Sequence, residues 1–266
     1  MRGRRIHVVD SGRPGKRSVL FIHGYGASSA SWRELADELG AGGTGELRLL
    51  APDLPGFGLS DRTAGDYSPE TLAEDLIALL DARGIGRVSV VGHSWGASIA
   101  LALALRHPER VEKLVLMSAF CYADQLGPFH EWTQVPGLGE LVMALFYRSN
   151  TAAKLALDFQ DPDRFVTEER VERVDENLDR PGALAALLAA ARGMAHFAEL
   201  ERHYGELGVP TLVLWGREDR VARLRFGERL ARELPHARLV VIGECGHIPE
   251  IECMRPTARA LADFLR

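Results

Sequence analysis

The chain predicts an α/β fold built on a mostly parallel sheet, and three observations carry that expectation. Short apolar runs of strand length alternate with longer stretches whose apolar residues recur at helical spacing. The short runs are apolar at successive positions, as in strands covered on both faces. No internal repeat and no low-complexity tract breaks the rhythm.

Ser18 to Ile22 reads as a buried strand running into the turn His23-Gly24-Tyr25-Gly26. Trp32, Leu35, Ala36 and Leu39 then fall on one helical face, and Leu47 to Ala51 is the next strand, ending at Pro52-Asp53. Ser68 followed by Pro69 is a helix start, carried on by Leu72, Leu76, Leu79 and Leu80 and stopped near Gly84. Val88 to Val91 is a strand, Trp95 to Arg106 a helix and Lys113 to Met117 a strand. Later, strands at Thr211 to Leu214 and Leu239 to Ile242 flank a helix around Phe226 to Leu234, and Pro256 to Leu265 closes the chain as a helix. The alternation fails only between Phe120 and about Gly193, where helical patterns and Pro128, Pro136, Pro162 and Pro181 replace strands. The expected organisation is therefore a core of residues 1–119 and 194–266 with a helical cap at 120–193. An insertion that leaves the carboxyl end of a strand would roof a site there.

Composition narrows the function classes. A chain of 266 residues, 46% apolar and 26% charged, is of ordinary globular make-up and large enough for a substantial core. A net charge of −5 offers no electrostatic case for nucleic acid or anionic lipid. The 32 basic residues include only three lysines, Lys16, Lys113 and Lys154. The longest uninterrupted apolar run, Ala183 to Ala191, is too short to span a bilayer, and Met1 to Asp10 lacks the apolar stretch of a signal peptide. Cys121, Cys245 and Cys253 are too few for a disulfide framework, and Cys245 reads as a small packing residue. The expectation is a cytoplasmic protein acting on a small molecule, without nucleic-acid or membrane partners; its oligomeric state stays open.

The chemistry centres on Gly92-His93-Ser94-Trp95-Gly96, between a strand and a helix. In that context G-x-S-x-G is a sharp turn that lifts a serine hydroxyl above the sheet, and the glycines flank it where a β-carbon would collide. A serine needs a base to take its proton and an acid to orient that base. Asp219 and His247 each follow a strand and come in that order after Ser94. The other histidines have bland readings: His93 packs beneath the turn, His107 ends a helix, His7 lies on the first strand, and His130, His196 and His203 lie in or near the insertion. Asp53 precedes the serine and reads as structural, whereas Asp124 is a weaker rival for the acid. No H-E-x-x-H, no close His/Cys cluster and no complete G-x-G-x-x-G occur, so neither a metal nor a cofactor is expected.

Five motifs in order, His23-Gly24-Tyr25-Gly26, Asp53 to Ser60, the Ser94 turn, Trp215-Gly216-Arg217-Glu218-Asp219 and Gly246-His247-Ile248-Pro249, resemble the α/β-hydrolase family over the whole chain except the insertion. The resemblance implies a sheet of about eight strands with the cap after the sixth. It also implies a Ser94–His247–Asp219 triad and an oxyanion hole formed by the Tyr25 and Trp95 backbone N–H groups. The leading expectation is hydrolysis of a small-to-medium carboxylic ester, or a lactone or thioester, through an acyl-enzyme on Ser94. Aspartate-nucleophile relatives are excluded by the serine. Three alternatives stand beside the ester. The first is a carbon–carbon bond hydrolase of ring-cleavage products, whose members carry Trp where this chain has Ile248. The second is a proline iminopeptidase-like enzyme, which would need cap carboxylates such as Glu131 or Glu140. The third is a ligand-sensing receptor with a slow triad. Phe120, Tyr122, Phe129, Trp132, Leu138, Leu141, Met143, Leu145, Phe146 and Tyr147 give the cap an apolar face, of which a few would line a pocket for an apolar group.

Overall fold

The computed structural model describes residues 4–12, 17–41, 47–147 and 149–266, without the side chains at 41 and 146. Lys16 and the Phe146 side chain therefore lie outside the described residues. Seven strands form one sheet: β1 (Val8–Asp10), β2 (Arg17–Ile22), β3 (Leu47–Pro52), β4 (Val88–His93), β5 (Val111–Met117), β6 (Thr211–Gly216) and β7 (Ala237–Ile242). Their order is β1-β3-β2-β4-β5-β6-β7, with β1 antiparallel to β3 and every other neighbouring pair parallel. The first crossover, through α1 (Arg33–Ala41), steps one way from β2; the next, through α2 (Pro69–Ala82), returns past β2 to β4. The carboxyl ends of β2 and β4 thus flank the point where the winding reverses, the place where open α/β sheets bind ligands.

Strand parity divides the core. Leu20, Ile22, Val90, Leu114 and Leu116 face a cluster with α2 and α3 (Trp95–Arg106), whereas Val19, Phe21, Val91, Val115 and Met117 face α1 and the C-terminal helix. Both faces are covered, which explains the unbroken apolar runs of β2, β4 and β5. The helix start at Ser68 is as expected: its side chain accepts from the Thr71 N–H, and Pro69 occupies the first turn.

Between β5 and β6 the described chain is helical: α4 (Pro128–Gln134), α5 (Leu138–Val142), α6 (Thr151–Asp158), α7 (Pro162–Phe165), α8 (Glu168–Asp179), α9 (Ala183–Gly193) and α10 (Phe197–Leu200). Beyond β6 come α11 (Leu224–Glu233), α12 (Pro249–Glu252) and α13 (Met254–Leu265). Ala186, Leu187 and Leu188 of α9 belong to the same apolar cluster as Leu20 and Trp95, so the insertion shares one core with the sheet. The helical run Ala183–Glu206 is long and apolar enough to cross a membrane by length and composition, but 56% of its apolar window is buried inside the molecule.

Three expectations are corrected. The sheet has seven strands among the described residues rather than about eight, and the helical insertion follows the fifth of them rather than the sixth. The backbone of Arg5 and His7 bonds to the loop at 53–61 instead of to another strand: Arg5 and His7 carbonyls accept from Asp61 and Asp53, and their N–H groups donate to the Asp61 and Ser60 side chains. Cys245 is joined to Cys253 by a disulfide and is not merely a packing residue; Cys121 is free and buried. The chain between the two folds back through α12, bringing their Cα atoms within 6.0 Å.

The turn after β4 is sterically dictated. A Cβ at Gly92 would lie 2.6 Å from the Gly96 carbonyl oxygen and 2.7 Å from the Ala97 Cα, and one at Gly96 would collide with the Ile22 and His23 carbonyls. Gly92→Ala should therefore destabilise the fold by about 1–3 kcal/mol. Urea unfolding reads this directly; wild-type stability in the variant would contradict the packing described.

Candidate active site

Ser94 sits between β4 and α3 at φ 51° and ψ −122°, a backbone conformation that a non-glycine residue adopts only when its surroundings impose it. Its N–H donates to the Met117 carbonyl on β5, and its own carbonyl accepts from Ala97 and Phe120. The side chain consequently leaves the end of the sheet beside the turn that follows β2.

The loops after β6 and β7 bring two further groups to it. His247 Nε2 lies 2.9 Å from Ser94 Oγ, and its Nδ1 lies 2.9 and 3.1 Å from the two Asp219 carboxylate oxygens. All three residues are buried. Asp219 also accepts the Val221 and Ala222 N–H groups, which hold its carboxylate in place. With Nδ1–H donated to Asp219, neutral His247 presents a bare Nε2 to the serine hydroxyl, the tautomer a base requires. Burial disfavours the imidazolium, but Asp219, Asp158 and Glu250 together outweigh it and raise the His247 pKa to about 9.

The His247 main chain is held from two sides: its N–H donates to the Asp158 carbonyl at the end of α6, and its carbonyl accepts from His93 Nε2 at 2.8 Å. Gly246 allows α6 to approach, since a Cβ there would lie 2.6 Å from the Asp158 carbonyl oxygen. Beside Ser94, neither the Tyr25 nor the Trp95 amide takes part in a described turn, loop or cap hydrogen bond. The Tyr25 ring packs edge-on against Trp95, Phe57 and Tyr147, and its hydroxyl donates to the Leu187 carbonyl of α9. Burial pushes the Tyr25 phenol well above its ordinary pKa, so it stays neutral.

Other sequence candidates lie elsewhere. Asp124 pairs with Arg229, and Asp53 accepts from the Ser29 and Leu59 N–H groups with His7 beside it. Glu140 is exposed and paired with Arg192, and Glu131 is exposed. Of the expected apolar cap face, Trp132, Leu138, Leu141 and Leu145 are exposed, whereas Met143 and Tyr122 are buried and Phe120, Phe129 and Tyr147 are partly buried. Among the described residues, one group of potential metal ligands clusters closely, Cys245, Glu252 and Cys253, and its sulfurs are engaged in the disulfide. Sequence reasoning missed two carboxyls, Asp158 and Glu250. Burial raises Asp158 to about 6, with His247 opposing and Asp219 adding. Glu250 stands three residues after His247, but nothing in its neighbours along the chain marks it as buried.

Asp219→Asn should lower the His247 pKa by about one to two units from about 9, because the variant removes the largest group that stabilises the imidazolium. A 15N NMR titration of the ring measures this, and an unchanged pKa would contradict the electrostatics described.

This geometry can be set beside known proteins. Residues 17–252 match the model of the alpha/beta hydrolase fold family. A 2-hydroxymuconate semialdehyde hydrolase of Pseudomonas putida is 36% identical over 269 aligned positions, covering 98% of this chain and 89% of that protein. The structure of a meta-cleavage product hydrolase from Pseudomonas fluorescens IP01 superposes with a TM-score of 0.83 at 28% identity, covering 99% of this chain and 94% of the other. A thermophilic esterase from Thermogutta terrifontis superposes at 0.81 with 26% identity, covering 98% and 93%. The chain belongs to the α/β hydrolase family.

Proposed function

We propose that the chain hydrolyses the carbon–carbon bond beside the oxo group of a 2-hydroxy-6-oxo-dienoate-type ring-cleavage product, through an acyl-enzyme on Ser94. The observation that carries the chemistry is the continuous series Asp219–His247–Ser94, with both links at 2.9 Å. The hydrolases named above, similar over nearly the whole chain, support the choice of bond.

Ser94 Oγ attacks the oxo carbon while His247 Nε2 takes the hydroxyl proton, and Asp219 stabilises the imidazolium that forms. The Tyr25 and Trp95 N–H groups receive the oxyanion, the latter at a helix N-terminus that favours negative charge. When the tetrahedral intermediate collapses, the carbon–carbon bond breaks and the departing carbon receives the proton from His247. Its electron pair is delocalised towards the 2-oxo acid end in the keto form of the substrate. His247 then deprotonates a water that attacks the acyl carbon, which releases the carboxylic acid and returns the proton to Ser94. Segment 120–193 acts as the cap that shields these steps from bulk water.

The ester expectation stands as the second reading, favoured by Ile248 beside His247 and by the likeness to the esterase. Steady-state kinetics on a 2-hydroxy-6-oxo-dienoate and on p-nitrophenyl esters of increasing acyl length separates the two. The expected result is a kcat/KM at least about a hundredfold higher for the dienoate, with turnover lowered about ten-thousand-fold in Ser94→Ala. A clear preference for an ester would replace the leading reading with the second, and full activity in Ser94→Ala would end both.

A further inference from the structure

Beneath His247 lies a buried pair that the mechanism does not use. The His93 side chain contacts the His247 main chain through Nε2, 2.8 Å from the carbonyl oxygen, and the two rings lie 5.1 Å apart. Its other nitrogen, Nδ1, lies 3.3 Å from Glu250 Oε1. Glu250 is 1% exposed, and among the described residues no other residue, His93 included, makes a full hydrogen bond to either of its carboxyl oxygens. No Lys or Arg side chain is among the groups acting on it.

The proton count follows from valence. A carbonyl oxygen can only accept, so His93 Nε2 carries the hydrogen. Burial holds the His93 pKa down to about 3, with His247 and His23 adding to the depression, so the ring is neutral and its Nδ1 bears a lone pair. An ionised carboxylate facing that lone pair would be repelled and left unsolvated; a carboxylic acid would present its O–H to it.

We propose that Glu250 is a positioning residue for His247: it is held as the neutral acid against the bare Nδ1 of His93, and the pair fixes the His247 main chain beneath Ser94. The inference rests on the reading of His247 as the base. It adds a charge to the site that appears only at alkaline pH. Burial raises the Glu250 carboxyl to about 8, against the opposing pull of its own backbone N–H and of His247, with Asp158 adding. His93 at the end of β4 lies against it, and His247 on its own loop and Asp158 at the end of α6 act on it electrostatically; Asp219 and His23 act through the two histidines. Once ionised, Glu250 stabilises the His247 imidazolium and keeps the base occupied by its proton.

Glu250→Gln keeps the shape and a neutral donor, whereas Glu250→Ala removes both. The test combines the pH profile of Ser94-dependent hydrolysis with a 15N NMR titration of the His247 ring. At pH 7, Glu250→Ala should lose at least about tenfold in kcat with KM unchanged, and Glu250→Gln should restore most of that loss. Between pH 8 and 9 the Gln variant should outpace the wild type by up to about fivefold if the missing charge lowers the His247 pKa by one unit from about 9, and the two should converge above pH 10. His247 should correspondingly titrate at lower pH in the Gln variant than in the wild type. Superposable profiles and titrations from pH 6 to 10, or a Gln variant as impaired as Ala, would overturn the proposal. If no substrate is turned over by the wild type, the acyl-enzyme reading fails, and the NMR titration alone still decides the role of Glu250.

Discussion

Everything in this molecule that bears on chemistry depends on one crowded turn, in which Ser94 is held at positive φ between β4 and α3. No local preference favours that conformation; the surroundings over-determine it. Gly92 and Gly96 remove the atoms that would prevent α3 and the end of β2 from closing on it. The Ser94 N–H is tied to β5, which fixes the direction in which the hydroxyl leaves the sheet. Because β2 and β4 flank the point where the winding reverses, the turn after β2 arrives beside it with the Tyr25 amide engaged in none of the described turn, loop or cap hydrogen bonds. The strain at one residue is thus set by the packing of a whole, mostly parallel sheet.

The proposed base is held by a different principle. His247 lies on a loop, and its position comes from contacts of both polar ends of its peptide with distant elements: Asp158 on α6 and His93 at the end of β4. The Cys245–Cys253 disulfide closes the same loop covalently. A rigid strand end supplies the proposed nucleophile, and a cross-braced loop supplies the proposed base, with Asp219 setting the ring tautomer between them. Two buried carboxyls, Asp219 and Glu250, and the half-buried Asp158 act on one imidazole, so the charge state of the site at a given pH is shared among them.

Much of this was legible in the sequence, for identifiable reasons. Strands buried on both faces announce themselves as continuous apolar runs, and the helix start at Ser68 is a local capping signal; both need only neighbours in the chain. The order Ser94, Asp219, His247 was legible because each residue follows a strand. The residues that escaped are those whose meaning lies in three dimensions. Asp158 sits at an ordinary helix end and Glu250 in the first turn of α12, and only the folded chain brings both beside His247. Cys245 and Cys253 are separated by eight positions, a spacing that means nothing until α12 folds the loop back. The strand count failed because Arg5 and His7 give their backbone hydrogen bonds to a loop, a choice that hydrophobic pattern does not encode. The apolar cap face was overdrawn because Trp132, Leu138, Leu141 and Leu145 point outwards, and a helical stripe does not say which of its sides meets the core.

The central claim is that Ser94 is a nucleophile activated by His247, and covalent labelling tests it most directly. The protein would be treated with a fluorophosphonate, which phosphonylates only an activated hydroxyl, and the modified peptide located by mass spectrometry. The account predicts one label per chain, on Ser94, with labelling lost in His247→Ala. A label on another residue, or none on Ser94 in the folded wild type, would contradict it.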